Sequence, residues 1–303
     1  MNYVYTSARV SALWNELLTG DFLEQLIMAK NAEECVRLLN AAGFSGNRPQ
    51  EIIKAAKERL ASITNELFPD PSEIEVIFYE KIFHNAKAAV KRLYAKGGKE
   101  SVYVDAPLSG ETIENAVCDG NYDALPPYLK SAVKEAYETL LKTGDGQIAD
   151  LLLDTACLRA MEAFGKETPH SILKEYVNES IAAADIKIAF RAKREDMSAY
   201  MVDCSFFTAE AIARAAEEPK EFKEFLQKCG LGDVNLDEID RWSGERILRA
   251  LREKMHDMFS PAPAIAFVLF SERQISLLRL ILICKEQGVS EDFIRRKAVR
   301  LYE

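Results

Sequence analysis

The residue types that most often carry catalysis are few and scattered in this chain. His84, His170 and His256 are its three histidines, with no HExxH pair and no neighbouring ligands at metal spacing. The six cysteines are Cys35, Cys118, Cys157, Cys204, Cys229 and Cys284, and the closest two, Cys204 and Cys229, stand 25 residues apart. No CxxC unit for zinc or redox chemistry exists, and the spacing predicts buried, reduced thiols in a cytosolic protein. Ala95–Ser101 reads AKGGKES; it lacks the GxxxxGK[ST] arrangement and follows no predicted strand, so it is not a phosphate cradle. Asp237-Glu238-Ile239-Asp240 could gather Mg²⁺ through carboxylates at helical spacing. No second acidic motif partners it, and it reads better as the acidic first turn of a helix ending near Trp242. Asp119–Asp123 is a turn-like acidic cluster, but a calcium loop starting there would place Lys130 at its twelfth position, where Glu is required. The expectation is no catalytic set, no metal and no cofactor.

The groups still in search of a role are cations on apolar helices. Glu80 and Lys87 lie seven residues apart, as do Glu272 and Arg279, so each pair shares a helix face. Glu179 is one residue off that register from Lys187. Such placement predicts ion pairs that tie helices together, or contact with a partner. Arg279 is the sharpest case because Leu277, Leu278, Leu280 and Ile281 flank it. An unpaired Arg buried there is costly, so it is expected to find an acid, a carbonyl cage or an interface. Arg295, Arg296, Lys297 and Arg300 form a basic cluster on the last helix. It reads as a solvated helix end complemented by its dipole, or as contact with an acidic partner or anionic lipid.

The elements that position these groups read as helices. Ser11–Met28, Glu33–Ala42, Pro49–Leu67, Ser72–Leu93, Leu151–Phe164, Ser171–Arg194, Ala209–Glu217, Phe222–Cys229, Glu245–Met258 and Ser290–Tyr302 repeat apolar residues at three- and four-residue steps. Strict alternation is scarce, and Val102–Val104 is too short to imply a sheet. The fold class is therefore all-α.

Two blocks recur along the chain. LTGDFLEQLI from Leu18, LSGETIENAV from Leu108 and FTAEAIARAA from Phe207 are offset by 90 and 99 residues. Thr19, Ser109 and Thr208 are placed as helix N-caps, with Asp21, Glu111 and Glu210 in the first turn. FYEKIFHNAKAAVKRLYAKG from Phe78, NESIAAADIKIAFRAKRED from Asn178 and FSERQISLLRLILICKEQG from Phe270 are offset by 100 and 92. In that alignment Asn85, Asp185 and Leu277 correspond, followed two residues later by Lys87, Lys187 and Arg279. Three helical units of roughly 100 residues follow, read as 1–104, 105–203 and 204–303. Head-to-tail order allows the N- and C-terminal helices to share one bundle.

Composition sets the outer bounds. The 303 residues are 48% hydrophobic and 29% charged, which suits a folded core and excludes disorder. With 48 acids against 39 bases the net charge is −9, a poor basis for binding nucleic acid. The longest apolar stretches, Ala264–Phe270 and Ile275–Cys284, fall short of the ~20 residues of a spanning helix. The start, MNYVYTSARV, shows no cationic stretch followed by an apolar one, so no signal peptide is expected.

These segments carry a family resemblance. PAPAIAFVLFSERQISLLRLILICKEQGVSEDFIRRKAVRLY resembles the end of the C-type subunit of the archaeal and bacterial A/V-type ATPases, the counterpart of the d-type subunit in the eukaryotic vacuolar enzyme (V-ATPase). YVYTSARVSALWNELLTGDFLEQLI, with Ala8-Arg9-Val10, is similar to the family's start. LLLDTACLRAM and ADIKIAFRAKRED, with Asp154, Asp185, Lys187 and Arg191, resemble its central repeat. Leu277 departs from the polar residue, such as Asn, that the family often has there. The resemblance implies three helical bundles in pseudo-threefold arrangement around a funnel-like cavity. It implies a non-catalytic rotor subunit, a socket between the central stalk (D- and F-type subunits) and the membrane rotor ring. Such a subunit couples ATP hydrolysis or synthesis to H⁺ or Na⁺ transport from the cytoplasmic face of the membrane. Arg9, Lys87, Lys187, Arg191 and Arg279 become the candidate residues for partner binding or inter-helix ion pairs. Two other readings compete: a helical-repeat adaptor unrelated to ATPases, and an all-α Mg-dependent enzyme using Asp237 and Asp240.

Overall fold

The computed structural model describes residues 3–95, 103–191 and 197–299; the side chains of residues 3–5, 191 and 254 are outside that description. Among the described residues every regular element is helical. The chain divides into two compact units, one of residues 1–73, 169–183 and 234–303, the other of residues 74–168 and 184–233. The N- and C-terminal segments thus fall in the same unit.

The first unit holds α1 (Tyr3–Trp14), α2 (Gly20–Met28), α3 (Ala32–Ala41) and α4 (Pro49–Leu67). The expected single helix over Ser11–Met28 is two helices. Asn15–Leu17 turn, and the Thr19 hydroxyl then accepts the N–H of Phe22, which starts α2. A capping oxygen that captures an N–H two or three residues ahead favours a new start over continuation. Pro49 opens α4, where its missing N–H costs nothing. The unit's later helices are α12 (Ile239–Lys254), α13 (Ala262–Glu286) and α14 (Glu291–Lys297). α13 is its axis and packs against α1, α3, α4, α12 and α14. Ala262–Ser271 is buried on every side, so the apolar run first read as too short for a membrane is a core helix. Trp14 meets Phe267 and Phe270 edge-on, with ring centroids 5.8 and 5.2 Å apart.

The second unit holds α5 (Tyr79–Tyr94), α6 (Gly110–Cys118), α7 (Pro127–Thr143), α8 (Gly146–Glu167), α10 (Ala209–Ala215) and α11 (Pro219–Lys228). The helix between them, α9 (Ser171–Arg191), begins in the first unit and from Ala184 counts with the second. The helix expected over Ser72–Leu93 starts late: Pro71–Phe78 is a tighter 3₁₀ stretch. Asp70 accepts both the N–H and the hydroxyl of Ser72, and Ile74 and Ile77, which eclipse at a three-residue period, are both buried. α7 and α8 form a hairpin closed by Gly144 at φ +68°, a left-handed cap that a side chain would strain. Both pack on α5, whose Tyr79 stacks on Tyr128 at 4.5 Å. All six cysteines are unpaired. Cys35, Cys157 and Cys284 are buried as expected, whereas Cys118 is exposed at the end of α6 and Cys204 and Cys229 are half-buried.

Candidate functional site

In each copy of the second sequence block a buried polar side chain bonds the backbone at, or a few residues before, a copy of the first block. In the second unit Asn85 of α5 is fully buried. Its Oδ1 accepts the N–H of Val104 at 2.8 Å, and its Nδ2 donates to the carbonyls of Val104 at 2.9 Å and Leu108 at 3.5 Å. The next residue, Ser109, caps α6 by accepting the N–H of Thr112 at 3.1 Å. A side chain on one helix therefore clasps the backbone that leads into a capped helix. Gly110 sits beneath the Tyr103 ring, where a Cβ would clash with the ring carbons, so the clasped segment closes only over glycine.

The second clasp has Asp185 of α9, also fully buried. Its Oδ2 accepts the N–H of Val202 at 3.2 Å, and its Oδ1 has no hydrogen-bond partner among the described residues. Burial pushes this carboxyl up to about 8; the Val202 N–H opposes the shift and Asp203 adds to it. Downstream, Asp203 accepts the N–H of Ala209 at 2.8 Å and Thr208 caps α10 through the N–H of Ala211 at 3.2 Å. The third clasp joins the two ends of the chain within the first unit. Gln274 of α13, 5% exposed, accepts the N–H of Leu18 at 2.8 Å, directly before the Thr19 cap.

The candidate cations divide. Lys87 of α5 bonds Asp154 of α8 at 2.7 Å, and one turn on Lys91 bonds Asp150 at 2.5 Å, a two-rung ladder between helices. Arg9 of α1 bonds Glu66 of α4 at 3.0 Å. Lys187 is half-buried and engaged. The Arg191 side chain lies outside the described residues. Arg279 corrects the expectation of a buried charge: it is exposed. Leu277, Leu278 and Ile281 around it are buried, while Ser276, Arg279 and Ile283, three or four residues apart, share the outer stripe of α13. Adjacent leucines in sequence are therefore no measure of burial for a residue on a helix.

The deepest ion pair escaped the sequence. Glu179 of α9 and Arg246 of α12 form two parallel bonds of 2.7 and 2.8 Å, with side chains 6% and 18% exposed. In the sequence Glu179 stands one residue off the i, i+7 register from Lys187 on its own helix; its partner is 67 residues away. The basic end of α14 is largely spent inside the protein. Arg295 bonds Glu24 and Glu291, and the Lys297 ammonium donates to the carbonyl of Asp237 at 2.6 Å. Arg296 is exposed and Arg300 lies outside the described residues. Asp237 and Asp240 bracket the start of α12, which runs on to Lys254 rather than ending near Trp242. Among the described residues no three His, Cys, Asp or Glu are grouped to hold a metal.

These features define a protein that is all-helical among its described residues and whose internal polar groups hold its own backbone and helices in place. Comparison with known sequences gives the family: the chain belongs to the ATP synthase (C/AC39) subunit family, which matches residues 6–297. It is 20% identical to the C-type subunit of the V-type sodium ATPase of Enterococcus hirae over 317 positions, covering 95% of each chain. The C-type subunit of the A-type ATP synthase of Halorubrum lacusprofundi is 24% identical over 71% of this chain and 70% of its own. That of Haloquadratum walsbyi is 27% identical over 69% of this chain and 57% of its own. The chain is a non-catalytic rotor subunit of a V/A-type ATPase.

Proposed function

We propose that this subunit is the socket of the rotor. It receives the foot of the central stalk, made of D- and F-type subunits, and stands on the membrane rotor ring. Stalk rotation passes through it to the ring, which couples ATP turnover to H⁺ or Na⁺ movement. The observation that carries this reading is the end-to-end match, from residue 6 to 297 in the family and over 95% of the sodium ATPase relative. The threefold recurrence of the clasp supports three bundles, 1–104, 105–203 and 204–303, in pseudo-threefold arrangement around a funnel-like cavity.

The socket sits on the cytoplasmic face through protein contacts; among the described residues no helix is long and apolar enough to cross a membrane. Arg279 is the cation best suited to a partner. It is exposed, it has no ion pair among the described residues, and Ile283 one turn on is 45% exposed. A free guanidinium beside an apolar side chain is the composition of an interface anchor. Lys87 and Arg9 are committed within their units and serve stiffness instead.

The test is size-exclusion chromatography of the purified chain with its own organism's D- and F-type subunits across a salt series. Co-elution that salt weakens is expected, and Arg279→Glu should lower affinity about tenfold or more by reversing a rim charge. Absence of any complex at micromolar concentration, with the rotor ring present as well as absent, overturns the socket.

A further inference from the structure

The three clasps perform one task with three different side chains, and one of them can change its charge. Asn85 and Gln274 are amides and stay neutral at every pH. Asp185, fully buried like Asn85, has a carboxyl instead. Asn85 uses an acceptor and a donor on its loop: Oδ1 takes the Val104 N–H, and Nδ2 gives to the Val104 and Leu108 carbonyls. As a carboxylate, Asp185 has only acceptors. One oxygen takes the Val202 N–H and the other is buried with no partner among the described residues. Protonation removes the charge that one N–H serves poorly in a buried site and makes Asp185 neutral, as the side chains of the other two clasps are. The orphaned atom and the recurrence of a neutral side chain therefore point to the same state, a neutral acid in the closed clasp.

The groups bearing on this charge act in one direction, save one. The Val202 N–H favours the carboxylate, while burial and Asp203 oppose it. Cys204, on the same loop, is pushed up to about 11 by burial and faces Asp185 as a neutral thiol. From α8, Thr155 reaches the loop through its hydroxyl, which donates to the Tyr200 carbonyl at 3.4 Å and carries no charge. Lys187 is two residues along α9, about 200° round the helix from Asp185.

We propose that Asp185 is a proton-operated latch on the segment Met201–Phe207: neutral, it holds the segment closed against α9; ionised, it releases that segment and loosens the start of α10. Ionisation places a second negative charge beside Asp203 and leaves two buried acceptors served by one N–H. Opening lets water reach both. The same segment carries the Cys204 N–H to Phe207 bond and the Asp203 bond to Ala209, so release propagates to the first turn of α10. The first and third clasps hold at any pH because amides do not titrate, so the response is confined to one loop of the second unit. A latch of this kind reports on cytoplasmic alkalinity in the range where enzymes work.

Amide hydrogen exchange of the full chain, read by mass spectrometry from pH 6 to pH 9 and corrected for intrinsic rates, tests this directly. Protection of residues 201–207 should fall about tenfold per pH unit up to about pH 8, where the closed state's own acid ionises, and level off above it, while residues 103–108 stay level. In Asp185→Asn the 201–207 segment should stay protected across the range. Flat protection of 201–207 in the unaltered chain overturns the latch, as does an unchanged pH response in Asp185→Asn. Should Asp185→Asn fail to fold, the reciprocal variant Asn85→Asp decides. It should confer the same alkaline loosening on residues 103–108, and a folded Asn85→Asp with a pH-independent loop refutes the proposal.

Discussion

The Glu179–Arg246 pair offers the sharpest test of how the first unit is held together. The perturbation is Arg246→Met, which keeps much of the side chain's length and removes its charge. Glu179, with 6% of its side chain exposed, is left as an unpaired carboxylate. Removing one partner of a buried pair costs about 3–5 kcal/mol. The guanidinium also sits 5.4 Å from the Trp242 ring centroid, a contact worth roughly another 0.5–1 kcal/mol. The expected loss is therefore about 4–6 kcal/mol. Replacing both residues with Met removes the uncompensated charge and should return stability to within about 2 kcal/mol of the parent. The assay is urea denaturation followed by tryptophan fluorescence. Trp14 and Trp242, the chain's two tryptophans, both belong to the first unit, which also holds Glu179 and Arg246. A loss below about 1 kcal/mol for Arg246→Met, or a double variant as unstable as the single one, would show that the pair does not hold the unit in this way.

Three further outcomes are expected. The Asp185 carboxyl stands near 8 in the folded chain against an unfolded reference of 3.8, so the folded state holds its proton more tightly. Its contribution is fully present below about pH 4 and is lost as pH rises to about 8, by at most ~6 kcal/mol and by less if the loop opens. Far-UV circular dichroism of urea melts should show Asp185→Asn abolishing that decline and gaining stability at pH 8. The caps Thr19, Ser109 and Thr208 should each cost about 1 kcal/mol as alanine, read as a lower midpoint in the urea melt. Gly110→Ala should destabilise the second unit by about 1–3 kcal/mol through overpacking. Tyr103→Ala in the same chain should relieve most of that, because the clash is with the Tyr103 ring.

Helix content and the three caps could be read from the sequence because each depends on residues within four positions of one another. Thr19, Ser109 and Thr208 all accept the expected N–H. Pro49–Leu67 matches to the residue because a proline starts it. The split between α1 and α2 was legible too, since the Thr19 cap already contradicted a continuous Ser11–Met28 helix. What stayed hidden depends on which helices become neighbours. The Lys87–Asp154 and Glu179–Arg246 pairs each span 67 residues, and no periodicity within a helix reports on a partner that distant. Arg279 was misjudged for a related reason. Neighbours in sequence are about 100° apart on a helix, so leucines on both sides of an arginine can be buried while it faces outwards.

The third clasp shows what a repeat preserves. Aligned by sequence, Leu277 takes the place of Asn85 and Asp185, and the polar function is absent there. In the structure the function is present at Gln274, three residues earlier, where it receives the N–H of Leu18. Three residues is about one helical turn, so Gln274 and Leu277 lie on nearly the same face of α13. Glutamine is one methylene longer than asparagine, so it can reach the incoming backbone from a turn further back. What recurs is a constraint on the backbone: the segment before a capped helix carries a buried N–H that needs an acceptor from the neighbouring helix. Any side chain that reaches it satisfies the constraint, and the choice among them sets secondary properties. Asparagine adds a donor and seals the loop. Glutamine ties α13, near the end of the chain, to the segment before α2, near its beginning. The aspartate in the middle serves the same N–H but brings a proton with it, so it is the one clasp of the three whose strength depends on pH.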